Sequence, residues 1–529
     1  MLKLASIFSH GMIVQRNSCI RIWGTSDKEL VEVFFNKEAF CSKVVNGKWY
    51  VDIDTLDTRE KELMTITEYE KGQPTDSIII KDILFGEVWL AGGQSNMELE
   101  LQNSKNGEEV VKHSDYDEIR FFNVPKCSFI DDDYYSSWEK ASWKKAKGDQ
   151  CGDVSAVGYY FAKKLYEELK VPIGIIDCYW GGTSATCWVS EKYIDSIDEV
   201  KDYIDGWNEC CTSKSDEQYA IEMKAYEEEY NNWVSTVEEL RAKNPLISWV
   251  SINETAGPCP WPQPRGKKSP FRPFGLHETM VSKIAPYSLK GFIYYQAEED
   301  WDKAAYYHKL NTAVINQFRE DFSTEKDDSV KPFYITQLPM YQENGKSDDK
   351  VWCKLRQEQE KCAETVDGTY LASIIDLGEF DNIHPINKEI PGTRLAERAL
   401  AKTYHTIDDL EYMKCNKADF YKDKCVLTLS NVYDGICFKD NGDKLTGEVS
   451  ELMLLTEDNC DLVKGLEISS NGIDFFSPVI RIEDGKLLLS TNDNSEVRAV
   501  RYAWFNYGIA NLYNSKKYPL LPFEFLSDN

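Results

Sequence analysis

A serine that can act as a nucleophile lies in the sequence Gly-Gly-Gln-Ser-Asn-Met at positions 92–97, directly after a compact apolar run at 87–91. Two glycines at the point where a strand turns into the next element permit a tight turn, which lifts the hydroxyl of Ser95 clear of the strand. The pattern differs from the G-x-S-x-G turn of the α/β-hydrolases, because Met97 occupies the position of the last glycine. An ordinary strand-end turn explains the motif equally well when it is taken alone.

A histidine with a nearby carboxylate lies far along the chain, in Asp-Asn-Ile-His-Pro at positions 381–385. A serine hydroxyl is a weak nucleophile near neutral pH, so it needs a base, and histidine is the usual one. Asp381 can accept a hydrogen bond from the Nδ1–H of His384 and leave Nε2 free to face Ser95. The remaining histidines, which have no comparable context, are His10, His113, His277, His308 and His405.

Two further strand ends carry groups that can stabilise a developing oxyanion. The run at 173–180 leads into Gly-Gly-Thr-Ser, where backbone N–H groups such as that of Gly182 can point at an anion. The run at 291–296 ends in Gln296, whose side-chain amide can donate at the same edge. A plain turn and a buried, satisfied glutamine are the structural alternatives for these two features.

These polar groups follow different apolar runs at their carboxyl ends, and the runs alternate with stretches of helical period such as 153–170. Continuous apolar runs separated by helices are typical of strands covered on both faces of a parallel sheet. The predicted strands are 87–91, 173–180, 291–296, 332–338 and 370–377. Ligands bind along the carboxyl edge of such a sheet, so we expect Ser95, Gly182, Gln296 and the Asp381/His384 pair to meet there. The residues by themselves favour a Ser-His-Asp hydrolase.

Strand-like segments with turn signals flank this α/β region on both sides. They predict an N-terminal β-sandwich-like domain over 1–81, an α/β catalytic domain over 82–408 and a C-terminal β-rich domain over 409–529. The flanking strands are predicted at 12–15, 19–23, 30–35, 48–53, 63–69, 425–432, 451–456, 465–469, 479–482, 486–489 and 497–505.

Composition limits the partners and the compartment. The chain has 529 residues and a formal net charge of −28, which makes nucleic acid an unfavourable partner. The first residues lack the apolar run of a signal peptide, and nothing approaches the roughly 20 apolar residues of a membrane span. The 15 cysteines are scattered without paired spacing, so we interpret them as reduced thiols of a cytoplasmic protein. No motif predicts a metal site or a cofactor.

Four stretches of the chain resemble the SGNH hydrolase superfamily, and more narrowly the sialate O-acetylesterase family. They are GEVWLAGGQSNM (86–97), YWGGTSATCWVS (179–190), APYSLKGFIYYQAEE (285–299) and DNIHPINKEIPGTRLA (381–396). The segments around 12–24 and 497–514 resemble the terminal regions of the family, so the resemblance covers nearly the whole chain.

The resemblance implies a fold and a set of roles. The fold is a three-layer α/β/α parallel sheet flanked by N- and C-terminal β-rich domains. Ser95 is the nucleophile, His384 the general base and then acid, and Asp381 the residue that orients it. The oxyanion donors are the backbone N–H groups of Ser95 and Gly182 and the side chain of Gln296. The implied reaction is hydrolysis of an acetyl ester on a small-molecule sugar through an acetyl-enzyme, without metal or cofactor.

One departure from the family affects the third stretch. The family sequence is close to WYQGES, whereas this chain has Ala297 after Gln296. Alanine does not reach positive φ without strain, so a positive φ at this position would strain the loop.

Charge bears on the sugar, because sialic acid is an anion. Segment 191–243 is predicted to be an acidic helical insertion with 15 acidic and 6 basic residues, either a solvated insertion or a charged partner surface. The loop at 260–275 carries basic side chains and no acidic one. We hypothesise that this loop receives the acidic sugar, with Arg265, Arg272 and Trp180 as candidate substrate-binding residues; a solvated connector is the alternative.

Three other functions remain open at this point. An acetyl esterase for neutral plant glycans, such as acetylxylan or acetylmannan, would use the same catalytic residues. A carbohydrate-binding protein without turnover and a metal-dependent deacetylase are more distant alternatives.

Overall fold

The structure is a computed structural model that describes residues 1–244, 247–326, 329–440, 445, 447, 451–493 and 495–527. It is a mixed α/β protein with β-rich regions on both sides of a central sheet. Within these ranges, no helix combines the length and apolar character needed to cross a membrane.

Short strands with alternating burial form the N-terminal region. They are β1 (Lys3–Leu4), β2 (Ile13–Gln15), β3 (Cys19–Thr25), β4 (Leu30–Phe35), β5 (Glu38–Lys43), β6 (Lys48–Asp54), β7 (Glu62–Glu70) and β8 (Gln73–Gly93). Strands β1, β3 and β6 form one antiparallel sheet, and β4, β5 and β7 join the sheet that contains β8.

Strand β8 belongs to both the N-terminal region and the central sheet. Up to Ile83 it pairs antiparallel with β7, and from Leu84 onward it pairs parallel with β2 and with strands of the central sheet. Asp82, at the change of partners, has a φ of 60°. The predicted domain boundary between 81 and 82 therefore falls inside one continuous strand.

The central sheet has the order β10-β9-β11-β8-β12-β13-β14, and all neighbours are parallel except β10 and β9. Its further strands are β9 (Asp115–Asn123), β10 (Trp143–Lys147), β11 (Ile173–Tyr179), β12 (Gly291–Tyr295), β13 (Phe333–Gln337) and β14 (Thr369–Ser373). Each predicted apolar run overlaps a strand of this sheet, although the run at 370–377 extends past the end of β14. Strands β9 and β10 were not predicted, because their charged residues hide the apolar pattern.

Helices connect and cover these strands. They are α1 (Ser95–Glu98), α2 (Gly107–His113), α3 (Asp132–Lys140), α4 (Ala156–Leu169), α5 (Glu191–Ile194), α6 (Lys201–Ser213), α7 (Asp216–Lys243), α8 (Trp249–Ala256), α9 (Ser282–Ile284), α10 (Tyr307–Asp321), α11 (Val351–Thr365) and α12 (Glu389–Ala399). Helix α4 begins where Ser155 caps it by accepting from the Gly158 N–H. It packs against α12 and β11, whereas α11 packs against α10, β13 and β14.

The C-terminal region consists of small antiparallel sheets. Its strands are β15 (Lys414–Phe420), β16 (Cys425–Ser430), β17 (Ile436–Phe438), β18 (Met453–Leu454), β19 (Leu466–Ser469), β20 (Val479–Glu483), β21 (Lys486–Ser490), β22 (Ala499–Tyr502), β23 (Leu512–Asn514) and β24 (Phe523–Leu526). The sheet orders are β15-β16-β21-β20, β18-β17-β23 and β19-β22-β24.

Two apolar cores hold the molecule together. The larger runs without a break from the N-terminal strands through the central sheet, whereas the second fills the C-terminal region and includes Met340 and Ile375 from the α/β part. The parallel register aligns Gly93 with Tyr179 on one side and Tyr295 on the other. Residues that follow these three positions therefore emerge side by side at the carboxyl edge of the sheet.

Candidate active site

Ser95 lies in a sharp turn between β8 and α1. Gly93, the last residue of the strand, has a φ of 135°, and a Cβ atom there would lie 2.1 Å from the carbonyl oxygen of Tyr295. Only glycine fits such a position. The turn leaves Ser95 half-buried at the carboxyl edge of the sheet, as the sequence predicted.

His384 faces Ser95 across this edge. Its Nε2 atom lies 2.8 Å from the Oγ atom of Ser95. Burial lowers the pKa of His384 to about 4, and the positive charge of Lys388 acts in the same direction. The imidazole is therefore neutral at pH 7, and in the tautomer protonated at Nδ1 its Nε2 atom can accept the serine proton.

The structure does not bring Asp381 to His384. The Asp381 carboxylate accepts hydrogen bonds from the Asn253 side chain, at 3.0 Å, and from the Asn344 N–H, at 2.9 Å. Among the described residues, only Ser95 bonds to the His384 ring at standard geometry. The physical reason lies in the backbone: Asp381 has a φ of 59°, and its N–H donates to the carbonyl of Gln342. The carboxylate is thus turned toward neighbouring loops, which corrects the predicted Asp381–His384 contact.

Two backbone N–H groups near Ser95 are available to an oxyanion. Within the described part of the chain, neither the Ser95 N–H nor the Gly182 N–H donates a hydrogen bond to another residue. Ser95 is the first residue of α1, so its N–H points out of the helix start. A Cβ atom added to Gly181, which follows β11, would lie 3.1 Å from the Cβ of Ser95. The turn after β11 and the turn that carries Ser95 therefore approach each other closely.

Gln296 is not placed as an oxyanion donor. Its side chain is fully buried, and its Nε2 atom donates to the carbonyl of Thr183. Its Oε1 atom has no hydrogen-bond partner among the described residues. The predicted role of the Gln296 side chain is corrected, because its amide is already used to fix the turn after β11. The adjacent Ala297 has a φ of 144°, so the strain predicted for this loop is present.

A buried polar cluster lies directly behind the nucleophile. Asn96 accepts a hydrogen bond from the Lys388 ammonium and donates to Glu298 and to the carbonyl of Ile383, the residue before His384. All three cluster side chains are at most 4% exposed. Burial lowers the pKa of Lys388 to about 7 and raises that of Glu298. The cluster ties the serine turn to the histidine loop.

Sequence reasoning missed this cluster as a functional unit. Asn96 lies in the GQSNM motif and Lys388 in the motif that contains His384, so both positions were visible in the stretches that resemble the family. What the sequence lacked was their burial and mutual contact.

The predicted sugar-binding arginines have other partners. The Arg265 guanidinium lies 4.9 Å from the centre of the Trp207 ring on α6, and Arg272 pairs with Glu278 at 3.0 Å. The structure records no contact between either arginine and the Ser95/His384 pair. These two contacts attach the 260–275 loop to its surroundings, and sugar binding by Arg265 and Arg272 stays a prediction.

Two tryptophans lie at the rim. Trp180 is half-buried, and its backbone N–H donates to the carbonyl of Gly93 at the end of β8. Trp261 covers Gly182 so closely that a Cβ atom on that glycine would lie 2.1 Å from the indole ring. Trp261 remains 45% exposed and contacts Phe271 edge-on at 5.1 Å. Part of the 260–275 loop therefore overhangs the rim, through Trp261.

Carboxylates surround the same rim. Glu98 accepts a hydrogen bond from the Gly181 N–H and forms an ion pair with Lys126. Burial, assisted by the charge of Asp300, raises the pKa of Glu299 to about 8. Within the described ranges, no three His, Cys, Asp or Glu side chains are grouped as ligands of a metal ion.

Sequence comparison places the chain among known proteins. No family model matches it. A sialate O-acetylesterase from Mus musculus is 24% identical over 432 residues, covering 76% of this chain and 73% of the mouse protein. The sialate O-acetylesterase from Homo sapiens is 23% identical over 531 residues, covering 95% of this chain and 87% of the human one. This chain is related to the sialate O-acetylesterases.

The predicted resemblance to the sialate O-acetylesterase family is thereby confirmed. Structural comparison agrees with it. A carbohydrate acetylesterase from Xanthomonas citri superposes with a TM-score of 0.73 at 23% identity and covers 99% of each chain. At this identity the likeness shows the fold, and the fold extends over both β-rich regions as well as the central sheet.

Proposed function

We propose that this relative of the sialate O-acetylesterases is a serine esterase that removes O-acetyl groups from sugars. The observation that carries the proposal is the 2.8 Å approach of His384 Nε2 to Ser95 Oγ, at an edge where the N–H groups of Ser95 and Gly182 donate to none of the described residues. A nucleophile, a neutral base and two oxyanion donors are the groups that acyl transfer requires.

The first half-reaction forms an acetyl-enzyme. Ser95 Oγ attacks the acetyl carbonyl while its proton passes to His384 Nε2. The developing oxyanion accepts hydrogen bonds from the Ser95 and Gly182 N–H groups. The bond from the carbonyl carbon to the sugar oxygen then breaks, and the His384 imidazolium gives its proton to that oxygen.

The second half-reaction regenerates the serine. His384 takes a proton from a water molecule, whose oxygen attacks the acetyl carbonyl. The bond to Ser95 Oγ breaks, acetate leaves, and Oγ recovers its proton from His384. The cluster of Asn96, Glu298 and Lys388 holds the two loops at the required separation during both steps.

The proposal includes an SGNH-type three-layer arrangement of the catalytic region. The parallel order of β11, β8, β12, β13 and β14 supports it, together with the packing of α4 and α11 against different strands of that sheet. Each candidate catalytic group follows a strand end, as ligand sites in such sheets do.

Two sugar classes fit this chemistry. The names of the curated relatives support O-acetylated sialic acid. A neutral acetylated glycan, such as acetylxylan or acetylmannan, is supported by the engagement of Arg265 and Arg272 with Trp207 and Glu278, since an anionic sugar needs free cations at the site.

Hydrolysis of p-nitrophenyl acetate by wild type and Ser95→Ala tests the esterase. We expect Ser95→Ala to lose at least about 10³-fold in kcat, because no other group supplies the nucleophile. Mass spectrometry of the peptide with residue 95, after rapid quenching, should show one added acetyl group in wild type alone. Ser77→Ala is the matched control, because Ser77 lies exposed on the same strand β8 and should leave the rate unchanged. Equal rates for wild type and Ser95→Ala would overturn the proposal.

A further inference from the structure

The long helix of the acidic insertion carries a row of aromatic rings on one face. Tyr226, Tyr230 and Trp233 recur at spacings of four and three, which places them on the same side of α7. The rings of Tyr226 and Tyr230 are stacked, with centroids 5.9 Å apart and planes 18° apart. Trp233 continues the row at 6.2 Å from Tyr230.

The two outer rings of this row fix the segment that precedes the rim. The Tyr226 hydroxyl donates to the carbonyl of Pro260, and the Trp233 indole donates to the carbonyl of Gly257. Both rings are half-buried by these contacts. Tyr230, between them, makes no hydrogen bond with the described residues and is left 38% exposed. An aromatic ring on the packing face of a helix is thus open to solvent where its neighbours are covered.

The segment beside this open ring extends to the candidate active site. The segment held by Tyr226 and Trp233 leads directly to Trp261, which covers the oxyanion donor Gly182 and is itself 45% exposed. Burial raises the pKa of Tyr230, and Cys259 and Glu98 add to this shift. Glu98 accepts from the Gly181 N–H beside Ser95. Tyr230 stacks on Tyr226, which bonds to the residue before Trp261, so the Tyr230 ring lies beside the segment that carries Trp261.

We infer that Tyr230 and Trp261 form a stacking site for sugar rings next to the acetylated one, so that the substrate is an uncharged oligosaccharide chain; this inference rests on the proposed esterase function. Flat aromatic faces pack against the apolar faces of sugar rings, and the nearby carboxylates accept hydrogen bonds from sugar hydroxyls.

The acidic surface around Tyr230 favours an uncharged sugar chain as substrate. The insertion that carries Tyr230 has a net charge of −9 over 191–243, and Glu227, Glu228 and Glu229 precede the ring directly. A chain of anionic sugars would be repelled along this surface, whereas a neutral chain would not. Lys126, an exposed cation at the rim, is already paired with Glu98.

The test compares acetylated tetrasaccharides with acetylated monosaccharides of the same sugar. The probes are acetylated xylotetraose against acetylated xylose and acetylated mannotetraose against acetylated mannose, with kcat/KM measured for each. In wild type we expect kcat/KM for at least one acetylated tetrasaccharide to exceed that for its acetylated monosaccharide by about tenfold, which is the effect of one good stacking contact. Tyr230→Ala should lower this ratio about five- to tenfold.

Ile221→Ala is the matched control. Ile221 is a 65% exposed apolar residue on the same helix, five positions before Tyr226 and therefore on the opposite side. It should retain the wild-type ratio. A second measurement is independent of turnover: xylotetraose and mannotetraose without acetyl groups should bind wild type more tightly than Tyr230→Ala in calorimetric titration.

The outcomes separate this inference from the esterase function. If wild type hydrolyses the monosaccharide and tetrasaccharide esters equally, and Tyr230→Ala changes neither, the stacking site is wrong although the esterase stands. A higher kcat/KM on acetylated sialic acid than on either tetrasaccharide, unaffected by Tyr230→Ala, would also overturn it. Failure of wild type on every acetyl ester, including p-nitrophenyl acetate, would instead reject the proposed function.

Discussion

The chemistry assigned to this site depends on one histidine being neutral. His384 bonds to Ser95, and its burial together with the charge of the buried Lys388 lowers its pKa to about 4. A base of such low pKa is weaker than the usual catalytic histidine, but it stays unprotonated far into the acid range. We therefore expect the burial of His384, with the Lys388 charge, to set the acid limit of activity.

The Lys388 charge can be tested through the pH profile. In wild type we expect kcat/KM on p-nitrophenyl acetate to fall as pH drops through about 4, because protonated His384 cannot accept the serine proton. Lys388→Met removes a repelling charge, so the pKa of His384 rises and activity should be lost at a higher pH. Lys243→Met, at an exposed position on α7, serves as control and should keep the wild-type profile. An unchanged acid limb in Lys388→Met would show that its charge does not act on His384.

Asp381 gives a second test at the same scale. If the carboxylate serves the Asn253 and Asn344 contacts, Asp381→Asn keeps one acceptor oxygen and should lower kcat less than about tenfold. A residue that orients a catalytic histidine would instead cost about 10⁴-fold in the same substitution. A loss as large as that of Ser95→Ala would place Asp381 on His384 in the working enzyme.

At the scale of elements, the turn after β11 and the loop at 257–262 act as one unit. The turn supplies Gly182, with a φ of 73°, and the loop supplies Trp261, which lies on it. Helix α7 holds the loop through the hydroxyl of Tyr226 and the indole of Trp233. The insertion therefore shapes the rim of the site. The sequence had predicted either a solvated insertion or a charged partner surface, and neither includes this role.

Gly182→Ala tests the contact between turn and loop. The added methyl group would overlap the Trp261 ring, and alanine at this φ costs about 1 kcal/mol more than glycine. We expect kcat on p-nitrophenyl acetate to fall about 10²-fold or more, the effect of displacing an oxyanion donor. Gly72→Ala is the control, because Gly72 also has a positive φ but an added Cβ would meet no atom within 4 Å. This substitution should cost only backbone strain and leave kcat unchanged. A wild-type rate in Gly182→Ala would exclude Gly182 from the oxyanion site.

At the scale of the whole molecule, a buried ion pair in the central region bonds to the C-terminal region. Arg394 on α12 forms a two-bond ion pair with Asp376, at 2.6 and 2.8 Å, and Asp376 also accepts from the Tyr513 hydroxyl of β23. Burial alone would raise the pKa of Asp376, but the Arg394 charge holds it below its usual value. The loop that leads to His384 begins at this carboxylate.

Removing Arg394 should destabilise the whole protein. Arg394→Met leaves a buried carboxylate without its partner, which costs about 3–5 kcal/mol in the free energy of unfolding. Urea denaturation at pH 7 measures this cost, with Arg498→Met, at a half-exposed pair with Glu496, as a control expected to change it by less than about 1 kcal/mol. The pKa of Asp376 is lower in the folded protein than in the unfolded chain. The ion pair therefore contributes its full stability above the pKa of the unfolded state, and this stability is lost as pH falls through the pKa of the folded state. The difference between wild type and Arg394→Met should therefore shrink in strong acid, and a constant difference would contradict the ion pair.

The sequence by itself predicted the meeting of Ser95 and His384, the proposed nucleophile and base, at the carboxyl edge of the sheet. Ser95 and His384 were identified from turns after apolar runs, and such runs form parallel strands whose carboxyl ends share one edge. These are local signals, since backbone conformation at a strand end follows from nearby residues.

Only the tertiary structure decided where the remaining side chains point. Asp381 and Gln296 were assigned from spacing, but their side chains bond to residues brought near by other loops, and Trp261 meets Gly182 across a long sequence separation. Lys388 and Asn96 became a functional cluster only through shared burial. The physical reason is the same in each case: a strand end is fixed by local sequence, whereas the partner of a buried polar group is fixed by whichever segment folding packs against it.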